Sequence, residues 1–263
     1  MSGAIGMPSN APTTADIARS VRGVAGYSLD LHLGADELAC ARRLIEEQWL
    51  SHLRRHAADV AEDLAALGIA RYHELADRLP HASLWPKSAR ILTASAVAEL
   101  RAMPFMARLE AAFGPFTISD EDAVGWPEIY WRLVRPRQPG DMGPLHADRW
   151  FWELGHGTTP PDVERIKVWV AVATEPGRNG LRLVPGSHRR AWRYHGELRD
   201  GMRKPVLDED ERQLGAILVD TAPGDAVVFH DALLHGGASN DGTSTRVSFE
   251  FTMFVGRAGA KQR

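Results

Sequence analysis

From Asp36 onward the apolar positions recur at steps of three and four. Leu38, Ala41, Ile45, Trp49 and Leu53 line one face, while Arg42, Arg43, Glu46 and Glu47 occupy the others. This spacing predicts an amphipathic helix with Asp36 as its N-cap. A second helical run passes through Val60, Leu64 and Leu67 to a stop at Gly68. "TASAVAELRA" and "PFMARLEAAFG" read as two more helices, the latter starting at Pro104 and ending before Gly114. After Trp126 the period changes from 3.6 to 2. In "EIYWRLV", Ile129, Trp131 and Leu133 alternate with Glu128, Tyr130 and Arg132. In "RIKVWVAVA", Ile166, Val168, Val170 and Val172 share one face and Lys167, Trp169 and Ala171 the other. "GLRLVPGSH", "DAVVFH" and "TRVSFEFTMFV" are further short strands between Gly/Pro/Asn turns. Helices first and strands afterwards predict an α+β fold, with a sandwich or jelly roll in the second part.

The Ser/Pro/Thr/Ala-rich residues 1–15 read as a mobile tail, 35–114 as mainly helical and 126–256 as the β core. No linker divides them, so a single domain over 1–263 is expected. Composition changes this picture little. With 44% apolar and 25% charged residues the chain is that of an ordinary globular protein. A net charge of −3 gives no basis for nucleic-acid binding, and no apolar run reaches membrane-spanning length. Cys40 is alone, and no secretory signal precedes the first helix, so a soluble cytoplasmic protein is expected.

The candidate chemistry lies in "GPLHADRW". In a strand, residues i and i+2 project to the same side, so His146 and Asp148 can meet one metal ion together. "VVFHDALLHGG" offers His230 and His235 as a third ligand. Two histidines and one carboxylate form the facial triad of non-haem Fe(II) oxygenases. With 11 histidines in the chain the pair alone is weak evidence, and it gains weight from "TRVSFEF". There Arg246 and Ser248 share a side opposite Val247, Phe249 and Phe251, and a guanidinium with a hydroxyl is a receptor for a carboxylate.

"LHAD", "KVWVAVATEPGRNGLRLVPGSHR", "PGDAVVFHDALLHGG" and "TRVSFEF", in that order, resemble the phytanoyl-CoA dioxygenase family over residues 130–254. The resemblance implies a double-stranded β-helix (jelly-roll, cupin-like) core with the N-terminal helices packed on it. It also implies Fe(II) and 2-oxoglutarate as cofactors, O₂ as cosubstrate and hydroxylation of a small molecule. Carried over, His146, Asp148 and His235 are the iron ligands. The resemblance favours His235 over His230, because the family pattern places this ligand just before a glycine and eleven residues ahead of the arginine, here Arg246. Arg246, with Ser248, takes the distal carboxylate of 2-oxoglutarate, and Trp169 lines its pocket. Many family members carry Gly-Ser after the distal histidine, whereas this chain has Gly236-Gly237, so Ser248 is expected to replace that hydroxyl. Asp148 fills the place a halide needs in a halogenase.

For the substrate, Arg132, Arg135, Arg137 and Arg149 stand near the aromatic run Trp150, Phe151 and Trp152. Of these, Arg132, Arg137, Arg149 and Trp150 are the expected contacts of a polar, anionic substrate. "RLVRPRQPGDMGPLHADRWFWEL" also resembles bacterial hydroxylases of Kdo, which implies an acidic and lipid-linked sugar. The alternatives are another natural product or amino-acid derivative met by the same iron centre, with hydroxylation, desaturation or epimerisation, and a catalytically inactive jelly-roll binding protein. His188 is expected to be structural, and His156 and His195 to be solvent-exposed.

Overall fold

The computed structural model describes residues 13–199 and 201–257. Residues 1–12 of the expected tail lie outside that range. The last three do not belong to a tail, because Thr13 precedes helix α1 (Thr14–Arg22) and donates its backbone N–H to Asp16 at 3.0 Å. Strand β1 (Tyr27–His32) leads to α2 (Ala35–His56). Asp36 is not its cap. The helix begins at Ala35, and the Glu37 carboxylate reaches back to accept the Gly34 N–H at 2.7 Å, so the glycine needs no capping side chain. Helix α3 (Ala58–Leu67) stops at Gly68, whose φ of +79° favours glycine. Two single turns, α4 (His81–Leu84) and α5 (Lys87–Arg90), precede α6 (Ala94–Arg101) and α7 (Pro104–Phe113).

The remaining elements are mostly strands. They are β2 (Phe116–Ile118), β3 (Tyr130–Val134), the short helix α8 (Asp148–Glu153), β4 (Val163–Ala173) and β5 (Leu181–Leu183). Then come β6 (Tyr194–Arg199), β7 (Met202–Leu207), β8 (Ile217–Leu218), β9 (Asp225–His230), β10 (His235–Gly237) and β11 (Arg246–Gly256). The larger sheet runs β1-β9-β4-β11-β2, with β3 also on β11, and the smaller runs β10-β5-β8. All these pairings are antiparallel, and β6 and β7 form a separate hairpin.

The alternation along β4 and β11 divides the packing. Ile166, Val168 and Val170 with Val247, Phe249 and Phe251 form one cluster with Ala41, Ile45, Trp49 and Leu53 of α2. Burying each large apolar side chain contributes about 1.5–3 kcal/mol, which holds the helices against the outer face of the larger sheet. On the inner face, Trp169, Ala171, Val227 and Phe229 pack against Leu181, Leu183 and Val219 from the smaller sheet's side. Two antiparallel sheets face to face, with helices covering one of them, make a double-stranded β-helix in an α+β chain. The inner face also receives Lys167, Arg246, Ser248 and Glu250, all buried. Charges in such a place require partners or a ligand. Among the described residues no helix is long and apolar enough to cross a membrane.

Candidate active site

His146 is not in a strand with Asp148, contrary to the sequence expectation. It forms an isolated antiparallel bridge with His235, each backbone N–H donating to the other's carbonyl at 2.9 Å. Ala147 keeps an extended backbone (φ −106°, ψ 133°), and Asp148 opens α8. One extended residue is enough to return the Asp148 side chain to the side of His146, so the i, i+2 geometry survives without a strand.

Each imidazole is oriented by its own chain. The Nδ1–H of His146 donates to the Pro144 carbonyl at 2.9 Å, and that of His235 to the Leu233 carbonyl at 3.0 Å. A carbonyl only accepts, so both rings carry a proton on Nδ1 and turn Nε2 to the opposite side. Those two Nε2 atoms lie 3.5 and 3.6 Å from the same Asp148 Oδ1. One ligand atom from each of the three residues lies within 4.8 Å of the others. Burial pushes the His235 pKa down to about 4, so it is neutral at physiological pH. Burial acts to raise that of Asp148, but above all the Lys167 ammonium holds its carboxyl well below the usual range. Two imidazole Nε2 atoms thus converge on a carboxylate oxygen, an arrangement suited to a cation.

Arg246 is 1% exposed. One guanidinium nitrogen donates to the Gly180 carbonyl, while its Nε and the hydroxyl of Ser248 are buried without a partner. The guanidinium carbon lies 6.0 Å from the centre of the Trp169 ring. Burial, then repulsion from Arg132, lower the Arg246 pKa to about 10. Leaving a buried cation without an anion costs several kcal/mol, so this site fits a carboxylate ligand. Ser248 and Trp169 stand beside Arg246 on the inner face, as the alternation expected.

A cavity of about 360 Å³ opens on His146 and Asp148, lined by Tyr130, Arg132, Phe151, Trp152 and Lys167 among others. Of the four expected substrate contacts only Arg132 is there. Arg137 lies on an exposed loop at φ +55°, its N–H donating to the Asn240 carbonyl. Arg149 turns to Asp231 at 3.0 Å, which Arg165 also meets at 2.7 Å. Trp150 is buried and stacks on Tyr194 at 4.6 Å. The reason is helical rotation. Since α8 starts at Asp148, residues 149 and 150 are carried about 100° and 200° away, and Phe151, three positions on, returns to the cavity.

The other histidines divide differently from the expectation in one case. His230 Nδ1 accepts the Ala232 N–H at 3.0 Å, and His188 Nε2 donates to the Gly23 carbonyl at 2.9 Å, local roles for both. His195 is exposed and paired with Asp208. His156, expected in solvent, lines the cavity and donates to the Arg203 carbonyl at 2.6 Å. The sequence reading missed Tyr130, Lys167 and Arg90 as cavity residues. Lys167 carried a usable signal, the one charged residue in the stretch 166–173 and on the same face as Trp169.

A family model described as phytanoyl-CoA dioxygenase (PhyH) matches residues 39–248. Among solved structures, the chain is similar to EctD from S. alaskensis with 2-oxoglutarate and 5-hydroxyectoine. That match has 17% identity, covers 95% of this chain and 79% of that one, and has a TM-score of 0.57. EvdO2 from Micromonospora carbonacea var. aurantiaca complexed with 2-oxoglutarate shares 17% identity, with coverage of 94% and 93% and a TM-score of 0.54. The non-heme monooxygenase ThoJ, in its apo form, shares 19% identity, with coverage of 91% and 77% and a TM-score of 0.55. At such identities these likenesses speak for the fold. Among curated proteins, none matches the chain.

Proposed function

Because this chain belongs to the phytanoyl-CoA dioxygenase family, and is an Fe(II)- and 2-oxoglutarate-dependent oxygenase, we propose that it hydroxylates an unactivated C–H bond of a small, polar, anionic molecule. His146, Asp148 and His235 are the ligands of Fe(II), and Arg246 with Ser248 receives the distal carboxylate of 2-oxoglutarate. The observation that carries this reading is the convergence of two imidazole Nε2 atoms on one carboxylate beside a buried guanidinium that has no acidic partner among the described residues. Bound Fe(II) supplies O₂ activation: one oxygen atom enters the C–H bond, and the other enters 2-oxoglutarate, which leaves as succinate and CO₂.

The chain's own groups perform the rest. His146, Asp148 and His235 would hold the ferrous ion with one carboxylate charge, which would leave it a net positive charge to match an anionic cosubstrate. The Pro144 and Leu233 carbonyls fix the imidazole tautomers, which spares the ligands a reorientation on binding. Arg246 sets which end of 2-oxoglutarate faces inward, and Trp169, buried in the inner cluster, closes that pocket to water. Tyr130, Phe151 and Trp152 line the space for the body of the substrate, with Arg132, itself paired with Glu250, beside them. An acidic sugar such as Kdo, free or lipid-linked, has this combination of polar body and anionic group. A cytoplasmic site of action accords with the lone Cys40. The test is a panel of acidic sugars, amino-acid derivatives and other natural products, scored for O₂-dependent succinate release coupled to a product heavier by one oxygen atom. Acceleration by an anionic member supports the proposal, and acceleration only by uncharged members overturns its substrate class.

A further inference from the structure

The cavity beside the triad does not end there. Lys87, Arg90, Asp122, Arg132, Met202 and Lys204 line both it and a second, outer chamber of about 850 Å³, which extends past Trp85 and His81. These shared residues form the neck between the two spaces. Four cations lining the inner cavity are already matched. Lys87 meets Glu121, Asp122 and Glu128 at 3.3, 3.1 and 2.6 Å. Arg132 is paired with Glu250, Lys167 with Asp148 and Glu250, and Arg199 with Glu197.

Arg90 differs. It ends helix α5, and its Nε and Nη1 donate to the carbonyls of Trp85 and Trp131 at 3.1 and 2.8 Å. Main-chain carbonyls fix the plane of a guanidinium without neutralising its charge. Arg90 has no acidic partner among the described residues. Burial, then repulsion from Arg132, bring its pKa down to about 10, so the arginine is held where its charge is uncomfortable. An anion at the neck would relieve both effects.

We propose that Arg90 is a specificity-determining residue, which selects the substrate by an oxyanionic group (carboxylate, phosphate or sulfate) held at the neck between the two chambers. The inference rests on the oxygenase reading above and deepens it. The substrate is then longer than the inner chamber: the carbon to be oxidised lies beside the triad, the anion on Arg90, and the remainder in the outer chamber. The helical first half of the chain thereby contributes recognition and not packing alone.

The experiment is a binding titration under anaerobic conditions, with Fe(II) and saturating 2-oxoglutarate present so that Arg246 is occupied. Glucuronate and inorganic sulfate serve as oxyanion probes, and glucose as the uncharged control. Both oxyanions are expected to bind the wild type more tightly than glucose does. In Arg90→Gln, which keeps a donor for the carbonyls but loses the charge, their affinity is expected to fall tenfold or more. Affinity for 2-oxoglutarate is expected to stay within twofold. Arg90→Lys, which keeps the charge and loses the fork, is expected to fall between the two, and it stands in if Arg90→Gln does not fold. Oxyanion binding equal in wild type and variants, or no better than glucose in the wild type, overturns the inference. Succinate release from 2-oxoglutarate by the wild type separates the two readings. Its absence counts against the oxygenase assignment, while its presence alongside Arg90-independent binding counts against Arg90 alone.

Discussion

The Lys167 ammonium lies 3.6 Å from Asp148 Oδ2, a buried oxygen that receives no hydrogen bond, and 3.7 Å from Glu250 Oε2. Lys167 is 2% exposed, and the Tyr130 hydroxyl accepts from it at 3.4 Å. One buried cation therefore stands between two carboxylates on the inner face of the jelly roll. It keeps Asp148 ionised and aimed before any metal arrives.

Lys167→Met is expected to leave Asp148 without its ammonium, while Glu250 keeps only Arg132. Breaking a buried pair by removing one partner costs about 3–5 kcal/mol. A divalent ion at the triad would replace part of the lost charge. Thermal unfolding is thus expected to show a large fall in Tm without metal and a smaller one with Mn(II) or Fe(II). Equal falls in both conditions would contradict the account.

Arg246→Met should separate stability from function. The apo protein loses a buried cation with a single carbonyl partner, so its Tm is expected to hold steady or rise. Affinity for 2-oxoglutarate is expected to fall roughly 30-fold or more, the loss that goes with removing one side of a buried charge pair. Calorimetry on the metal-loaded protein reads both quantities. Retained 2-oxoglutarate affinity would remove Arg246 from its assigned role.

The two glycines after His235 are not equivalent. A Cβ at Gly236 would stand 2.8 Å from the Pro144 carbonyl oxygen and 3.0 Å from that of Gly143, both rigid backbone. Gly236→Ala is expected to force apart the bridge that joins His235 to His146, weakening metal binding about 10–100-fold. At Gly237 the nearest atom is an Arg246 nitrogen at 3.6 Å, an ordinary contact. Gly237→Ser is expected to fold normally and to tighten 2-oxoglutarate binding, supplying the hydroxyl that many family members carry there. Metal and 2-oxoglutarate titrations of the two variants check the contrast.

The parts of the chain that were legible in the sequence share one property, a burial difference between faces. Both faces of β4 are buried but in different surroundings, and its alternation placed Lys167, Trp169 and Ala171 together correctly. The hairpin β6–β7 mixes exposed, half-buried and buried positions without a steady alternation, so it left no periodic trace. Strand β1 is an edge with a register shift between Ser28 and Leu31, which breaks its alternation. The convergence of His146, Asp148 and His235 was legible through spacing and motif order. The substrate side was not, because sequence does not say that the chain turns helical at Asp148. That single turn sends Arg149 to Asp231 and Trp150 into the core. Arg90 was invisible for a related reason, since it reaches the cavity only through long-range packing of α5 on β3.

The most direct measurement is succinate release from 2-oxoglutarate under air, with Fe(II) supplied, by wild type, His146→Ala and Asp148→Ala. Fe(II) affinity is recorded on the same samples, and Tm reports whether each variant is folded. The account predicts O₂-dependent succinate release by the wild type, and a loss of about 100-fold or more in both folded variants together with weakened Fe(II) binding. Undiminished turnover and Fe(II) affinity in either variant would contradict the assignment of His146, Asp148 and His235 as the metal centre.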